Sequence, residues 1–429
     1  MDQPGEALLP LNAMGSHDNT RNKLGWRTGL AAAVLLLAVL LVRLNWMDAF
    51  LPPLPGKSDM EWAREVEREN STGHESAEAV IATGSSFSVV GHTNSRQPGI
   101  QQAWVLRFDR APPPRWERTY GKKKPGTGTL GRAIASMPGG GLIVAGEEQI
   151  AVGRFQGWLL ALSPEGDVLW EQTPGHGVMN GLNAVSVLED GSIIAGGDQD
   201  GVGWVVRMDP RGQQLWEASL PQLEHVTALV SLPAQRVAVL GTAETATVGL
   251  GSSRLLLLES DGRATGEKRL PIEGRGELDA LALLPDGGLV ATGRRSRPDS
   301  TDWRLWVVRM DPRGETLWEH VPEGAQMEAG HAVTAFPDGG IVVVGSSWRE
   351  PLTDQEAKVW RFSAEGLLLW QQTYGGAEND VGDGIARLAD ESLVVVGTTT
   401  SQDAGKTDLW TFGLTPEGQL LWEETFGAP

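Results

Sequence analysis

Seven polar residues occur along the chain at intervals of about 50 residues, and they are the first candidates for a functional site. Asp279, His331 and Asp383 follow one another at intervals of 52 residues. Two carboxylates and an imidazole brought together could bind a cation or a basic ligand, or act as a paired acid and base. The alternative interpretation is a solvated rim at which strands begin with polar residues. The full series is Glu78, Arg132, Asn183, Thr227, Asp279, His331 and Asp383.

The rest of the sequence offers little other chemistry. Its seven histidines form no H-x-H or H-E-x-x-H pair, and cysteine is absent, which excludes a disulfide framework, a thiol nucleophile and cysteine-ligated metals. Asp198–Gly201 resembles part of a calcium loop but lacks the downstream glutamate, so a polar turn is favoured. We therefore predict no metal site and no cofactor. Glu78, Asp279, His331 and Asp383 remain as a predicted ligand-binding ring.

A tryptophan pair is repeated along the chain and predicts the elements that position this ring. In Leu305–Glu319, two apolar segments flank Asp311–Gly314, which predicts a hairpin with a type I turn. The predicted register places Trp318 opposite Val308, with Trp306 and Trp318 on one face. The first position of the pair holds Trp104, Trp158, Trp204, Trp306 and Trp410, and the second holds Trp116, Trp170, Trp216, Trp318, Trp370 and Trp422.

Seven copies of the pair can be aligned, with Gly266 replacing the second tryptophan in the fourth. The copies are about 50 residues apart, which indicates a repeat architecture. Two more strands precede each hairpin, as in Ala332–Phe336 and Ile341–Gly345, which a Pro-Asp-Gly-Gly turn joins. Seven four-stranded antiparallel units bury their faces best as a closed ring. We therefore predict an all-β, seven-bladed β-propeller over residues 76–429, with the polar series at one mouth of its channel.

Residues 407–427 (TDLWTFGLTPEGQLLWEETFG) and 370–384 (WQQTYGGAENDVGDG) resemble the bacterial seven-bladed β-propeller repeat. The chain is also similar to the tryptophan-docking repeats of pyrroloquinoline quinone propellers. These resemblances imply a propeller whose tryptophans lock neighbouring blades. They do not imply the quinone cofactor, because those enzymes have eight blades, an adjacent-cysteine disulfide and a calcium site. The family also includes non-enzymatic members, so the resemblance does not choose an activity.

Residues 28–47 predict a transmembrane helix that serves as an anchor or signal. Gly29 to Val42 is an uncharged apolar run of 14 residues, which is short for a span and suits a signal-peptide core. No small-x-small cleavage site follows, and Arg43 and Trp46 suit a membrane interface. An uncleaved anchor is therefore favoured over a cleaved signal, and a buried soluble helix is the least favoured alternative.

The flanking segments predict the orientation of the chain. Basic residues before the span favour a cytoplasmic tail at residues 1–27 and a propeller in the periplasm or outside the cell. Residues 48–75 are predicted to form a proline-rich linker with a short charged helix over 59–70.

The formal charge of −19 argues against a nucleic-acid partner, although acidity also keeps a large surface soluble.

Together these features predict a single-pass protein of the bacterial cytoplasmic membrane, held through residues 28–47. Its extracytoplasmic propeller is predicted to be a non-enzymatic binding or scaffold module for a protein or an envelope polymer. The alternative is a hydrolase or lyase that uses carboxylates at the channel mouth. A structural stalk-and-head adhesin is the third interpretation.

Overall fold

The computed structural model describes residues 73–96, 100–124, 127–244, 251–270, 275–297, 300, 302–322, 327–348, 354–401 and 407–427. The chain divides into two units, Met1–Asn70 and Ser71–Pro429, and the described residues all belong to the second. The predicted tail, the predicted anchor at 28–47 and the predicted short helix at 59–70 lie outside the described residues. Within the described residues, no helix has the length and apolar character needed to cross a membrane.

The described residues form 28 strands in seven four-stranded sheets, here called blades I to VII. Blade I contains β1 (Glu75–Thr83), β2 (Ser86–Thr93), β3 (Gln102–Phe108) and β4 (Trp116–Tyr120), and blade II contains β5 (Gly128–Ser136), β6 (Leu142–Ala151), β7 (Arg154–Leu162) and β8 (Val168–Gln172). Blade III contains β9 (Asn180–Val187), β10 (Ile193–Gln199), β11 (Val202–Met208) and β12 (Gln214–Leu220). Blade IV contains β13 (His225–Leu232), β14 (Arg236–Glu244), β15 (Gly251–Leu258) and β16 (Ala264–Arg269). Blade V contains β17 (Gly276–Leu283), β18 (Leu289–Arg295), β19 (Arg304–Met310) and β20 (Thr316–His320). Blade VI contains β21 (Glu328–Ala335), β22 (Ile341–Trp348), β23 (Gln355–Phe362) and β24 (Leu368–Tyr374). Blade VII contains β25 (Asp380–Arg387), β26 (Leu393–Thr399), β27 (Asp408–Leu414) and β28 (Leu420–Phe426). Two short 3₁₀ turns, Pro138–Gly140 and Pro233–Gln235, join the first two strands of blades II and IV.

The blades form a closed ring, which confirms the predicted seven-bladed propeller. Within each blade the strands are antiparallel and pair in chain order. The first strands contact one another around the axis, and β1 completes the circle against β25. Among the described residues, seven hydrophobic clusters each join two neighbouring blades. The cluster that closes the ring packs Leu388 and Val394 of blade VII on Phe87 of blade I. The apolar faces are therefore buried between blades, as a ring requires.

Among the strands of the described residues, none is exchanged to close the ring, since blade I is built from the first four strands and blade VII from the last four. The seam is held by contacts instead. The Glu75 amide donates to the Thr407 carbonyl over 2.9 Å, and Trp422 stacks on Phe87 with ring centroids 5.9 Å apart. Aromatic stacking and backbone pairing thus replace a shared sheet at this junction.

The tryptophan hairpin has the predicted turn but not the predicted faces. Gly314 has φ +80°, and its amide donates to the Asp311 carbonyl over 2.9 Å, as a type I turn with a following left-handed glycine requires. Met310 pairs with Thr316, but a bulge after Arg309 shifts the register, so Trp318 pairs with Arg309 and not with Val308. The prediction that both tryptophans share one face is therefore wrong.

The two tryptophan positions consequently serve opposite faces of a blade. Trp306 is 1% exposed and packs toward blade IV, whereas Trp318 is half-buried and packs toward blade VI. The Trp318 Nε1 donates to the Ala364 carbonyl in the next hairpin turn over 3.1 Å, with the ring against Gly366. Four other second-position tryptophans donate in the same way: Trp116, Trp170, Trp216 and Trp370. Each tryptophan therefore fastens its blade to the following one.

Candidate functional site at the channel mouth

Each of the seven polar residues predicted to ring the channel is the bulged residue of its first strand. In blade VI, Gly330 pairs with Gly345 and Ala332 pairs with Val344, so His331 between them has no cross-strand partner. The register shifts at the same position in the other six blades. A β-bulge inserts one residue and redirects its side chain. The predicted first strand of this blade begins at Ala332, directly after His331, whereas the observed strand runs from Glu328 to Ala335 and contains His331. A bulge breaks the alternation by which a strand is recognised in sequence.

A glycine on the second strand makes each bulge sterically allowed. A Cβ at Gly345 would overlap the carbonyl oxygen of Ala329, which the bulge pushes toward the second strand. The equivalent glycine of every other blade approaches a first-strand carbonyl in the same way, and these are Gly91, Gly146, Gly197, Gly241, Gly293 and Gly397. Close backbone approach is a role that only glycine can fill. The last residue of motifs such as Ile-Val-Val-Val-Gly is thus part of the site's construction.

The seven bulged side chains line one cavity of about 240 Å³ in the channel. The residue that follows each of them along the strand also lines the cavity and is small, alanine in six blades and Gly384 in blade VII. Larger apolar residues such as Val80 and Leu281 come next along the strands. The structure therefore brings Glu78, Asp279 and Asp383 to one polar mouth, with apolar side chains next to them along the strands.

A second tier of polar residues supports the bulged ring. It consists of the residue after each second-strand glycine, and its members are His92, Glu147, Asp198, Thr242, Arg294, Ser346 and Thr398. Arg132 donates to Glu147 over 2.7 Å, and Thr398 donates to Asp383 over 3.4 Å. This tier is not among the residues predicted from the sequence. Its signal was available, since the residue after the glycine is polar in all seven repeats.

Three members of the ring are held by the neighbouring blade. The Asn183 amide donates to the Val226 carbonyl over 3.1 Å, and the Thr227 hydroxyl donates to the Leu278 carbonyl over 3.0 Å. The His331 Nδ1 lies 3.1 Å from the Gly382 carbonyl. Each acceptor directly precedes the next ring residue along the chain. These three side chains therefore stabilise blade packing and contribute little unused binding capacity.

The carboxylates of the ring are less well compensated. Within the described residues, the Asp279 carboxylate has no hydrogen bond or ion pair. Burial raises the pKa of Asp279 to about 6, and the charge of Glu277 adds to this effect while the charges of His331 and Arg294 oppose it. Burial and the charge of Asp383 likewise raise the pKa of Glu78, despite the hydrogen bond from Ser76. At neutral pH the mouth therefore contains carboxylates whose ionised form is destabilised by burial.

The histidines at the mouth differ from one another. Burial and the charge of Arg132 lower the pKa of His92 to about 4, so the His92 ring, 3.4 Å from Glu78, is neutral at pH 7. Burial lowers the pKa of His331, but the hydrogen bond and charge of Asp383 outweigh it, and the net shift is upward. His331 Nδ1 lies 3.6 Å from Asp383. Asp383 therefore has His331 beside it as a possible cation, whereas the charges of Arg132 near Glu78 and of His331 and Arg294 near Asp279 only partly offset burial.

The mouth is acidic in total. Its two tiers and the flanking Glu277 carry six carboxylates and two guanidinium groups, a formal charge of −4 with neutral histidines. Arg132 pairs with Glu147, and Arg294 pairs with Glu277. The carboxylates outside these two pairs are Glu78, Asp198, Asp279 and Asp383. In the part of the chain that the structure describes, no three His, Asp or Glu side chains are grouped closely enough to hold a metal ion.

Comparison with known proteins supports the fold. No family model and no curated protein matches the chain. Among solved structures, a protein from Lactobacillus plantarum has a TM-score of 0.52 at 14% identity, covering 80% of this chain and 96% of that one. Puromycin hydrolase has a TM-score of 0.50 at 15% identity, covering 81% of this chain and 54% of the other. The β-propeller domain of the Trilobed protease from Pyrococcus furiosus has a TM-score of 0.47 at 11% identity, covering 82% of this chain and 95% of that domain. At these identities the similarity is one of fold alone.

Proposed function

We propose that this protein is a non-enzymatic binding propeller whose channel mouth receives a basic group, such as an arginine or lysine side chain of a protein partner. The observation that carries the proposal is the Asp279 carboxylate, which faces the cavity without a hydrogen bond or ion pair among the described residues. Glu78 lies at the same mouth with a neutral histidine beside it. A cation placed here would gain attraction from several carboxylates in a partly desolvated site.

The fold favours recognition of a group presented by a larger partner. In every blade the first strand begins, and the second ends, at the edge that carries the polar mouth. The connections between second and third strands and between blades leave from this same edge. Loops on a rigid scaffold are where binding specificity usually lies. A partner that inserts one basic side chain into the mouth would therefore also contact the surrounding connections.

Titration of the full chain with agmatine, which carries both a guanidinium and an ammonium group, tests the proposal. We expect saturable binding at pH 7.5 in isothermal titration calorimetry, and at least tenfold weaker binding after Asp279→Asn together with Asp383→Asn. Glu424→Gln, on the exposed outer strand of blade VII, is the matched control and should not change the affinity. Unaltered binding in the double variant, or no binding by the wild type, would count against the site.

The second candidate function is a hydrolase or lyase, and one observation favours it. Asp279, whose pKa is about 6, lies near His331, an arrangement that can serve general acid–base chemistry near neutral pH. Such an enzyme would show a rate that changes with pH around 6 and is lost in Asp279→Asn. Binding without turnover of any tested substrate favours the binding module.

The cellular setting belongs to the same proposal. We infer that residues 28–47 anchor the chain in the bacterial cytoplasmic membrane and that the propeller faces the periplasm or the outside of the cell, where its partner is a protein or an envelope polymer. We also propose, from the resemblance of its repeats, that the chain belongs to the bacterial seven-bladed β-propeller repeat family. Membrane fractionation and a reporter fused after Pro429 test the topology, and a soluble cytoplasmic protein would refute it.

A further inference from the structure

Blade V contains a second polar cavity, separate from the channel. It has a volume of about 220 Å³ and is lined by Arg295, Ser296, Arg297, Arg304, Val321 and Pro322. These residues end β18, begin β19 and follow β20, so they lie at the edge of the blade from which the inter-blade connections leave. Three arginines around one cavity are notable in a chain with a formal charge of −19. The local charge of this cavity is opposite to that of the whole protein.

The repeat explains why the cavity occurs in blade V. In blade I, Glu75 pairs across the sheet with Thr93, whose hydroxyl donates to it over 2.8 Å. In blade VII, Asp380 and Thr399 form the same hydrogen-bonded pair. Blade V has Gly276 opposite Arg295 at this position. The acidic side chain is thus absent where the basic one is present, and positive charge is left on this side of the sheet.

The three guanidinium groups are only partly neutralised. Arg295 Nη1 donates to Glu319 Oε2 over 3.0 Å, and that carboxylate also accepts from Trp306 Nε1 over 3.1 Å. Arg304 Nη1 donates to the Pro322 carbonyl over 3.3 Å, which is a neutral acceptor. Arg297 is exposed, and its guanidinium has no acidic partner among the described residues. Among the described residues, the guanidinium groups of Arg297 and Arg304 therefore have no acidic partner and retain unused donors.

A buried hydroxyl in the wall of this cavity also lacks a partner. Ser296 is 2% exposed, and its backbone amide donates to the Arg275 carbonyl over 2.7 Å. Its Oγ has no hydrogen-bond partner in the described structure. Unsatisfied buried hydroxyls are costly and uncommon. An acceptor seated in the cavity would satisfy the hydroxyl, which points to a ligand that carries oxygen atoms.

We propose that this cavity is a binding site for a tetrahedral oxyanion, phosphate or sulfate. Guanidinium groups present paired donors that match such oxygens, and the Ser296 hydroxyl supplies a further donor. Within the described part of the chain, Arg297 and Arg304 have no acidic partner, while Arg295 is held in place by Glu319. Val321 and Pro322 line the cavity at the end of the last strand of the blade. The site shares no residue with the channel mouth, so the two proposals stand or fall separately.

Calorimetric titration of the full chain with inorganic phosphate, and separately with sulfate, tests this site. Sodium chloride at matched ionic strength serves as the control for general screening. We expect saturable binding of at least one oxyanion, weakened about tenfold or more by Arg297→Ala and by Arg304→Ala, because each removes a charge-assisted hydrogen bond. Arg313→Ala, in the exposed hairpin turn of the same blade, should leave the affinity unchanged.

Ser296→Ala provides an independent measurement, because it removes the hydroxyl and leaves every charge in place. It should weaken oxyanion binding without altering the effect of sodium chloride. Preference for phosphate or for sulfate would identify the source of the anion, and either result supports the site. Failure of both ions to bind saturably, or binding that survives Arg297→Ala combined with Arg304→Ala, would overturn it.

Discussion

Replacing Asp279 with asparagine should stabilise the fold at neutral pH while weakening the proposed ligand binding. Burial raises the pKa of Asp279 from 3.8 to about 6, so the folded protein holds the ionised form at a cost. A shift of about two units corresponds to roughly 3 kcal/mol at most, because one unit equals about 1.36 kcal/mol. The side chain faces an open cavity, and we therefore expect a gain of about 1–3 kcal/mol from Asp279→Asn at pH 7.5.

The sign of the pH dependence follows from the direction of the shift. The folded pKa lies above the unfolded one, so the folded state takes up a proton first as the pH falls. The destabilisation by Asp279 is complete above about pH 6 and disappears as the pH falls toward about 4, where both states are protonated. The advantage of Asp279→Asn should accordingly shrink to less than about 1 kcal/mol at pH 4.5.

Urea unfolding at pH 7.5 and pH 4.5, followed by circular dichroism, measures both values. Asp302→Asn, an exposed aspartate of the same blade, is the matched control and should change stability by no more than about 0.5 kcal/mol. Equal stability of Asp279→Asn and the wild type at pH 7.5, or an equal gain at both pH values, would refute the account of Asp279 as an anion destabilised by burial. Weaker agmatine binding by the same stabilised variant would show that the stability cost serves recognition.

Three further predictions concern the framework of the ring. Trp370→Ala should lower the free energy of unfolding by about 3 kcal/mol, because it removes packing and the 3.2 Å hydrogen bond to the next turn, whereas Leu369→Ala at 56% exposure should stay within about 0.5 kcal/mol in the same urea titration. Gly345→Ala should cost more than about 3 kcal/mol, since its Cβ overlaps a backbone carbonyl, and an unchanged melting temperature would contradict the bulge. Lys358→Ala should cost about 3–5 kcal/mol by leaving Glu328 unpaired at 5% exposure, and pairing Lys358→Met with Glu328→Leu should restore most of it.

Much of the fold could be predicted because its sequence signals extend over only a few residues and recur from blade to blade. Gly314 marks a hairpin turn without reference to the rest of the chain, and its repetition counts the blades. The ring series was also found in sequence, since each member, such as His331, precedes an apolar strand pattern. The position of Trp318 was not found, because a single bulge exchanges the two faces of a strand. A bulge depends on close approach of two backbones, which the hydrophobic pattern does not encode.

The candidate site shows the same division. Glu78, Asp279 and Asp383 could be named as a converging set, because a closed ring brings equivalent positions together. Their charge states could not, since burial and neighbours from other blades determine them. His92 is neutral because it is buried near Arg132, and the pKa of Asp279 is raised because burial outweighs the charges of His331 and Arg294. The arginine cavity of blade V was also missed, as Gly276 and Arg295 are neighbours only across the sheet.

The sequence by itself determined the number of blades, the strand order and the identity of the ring residues, because turn glycines, tryptophans and apolar alternation act over a few residues and recur. Only the tertiary structure decided which face each tryptophan covers, which carboxylates remain unpaired and where arginines gather. Those outcomes depend on distances and solvent access between residues far apart in the chain, and such interactions form only when the ring has closed.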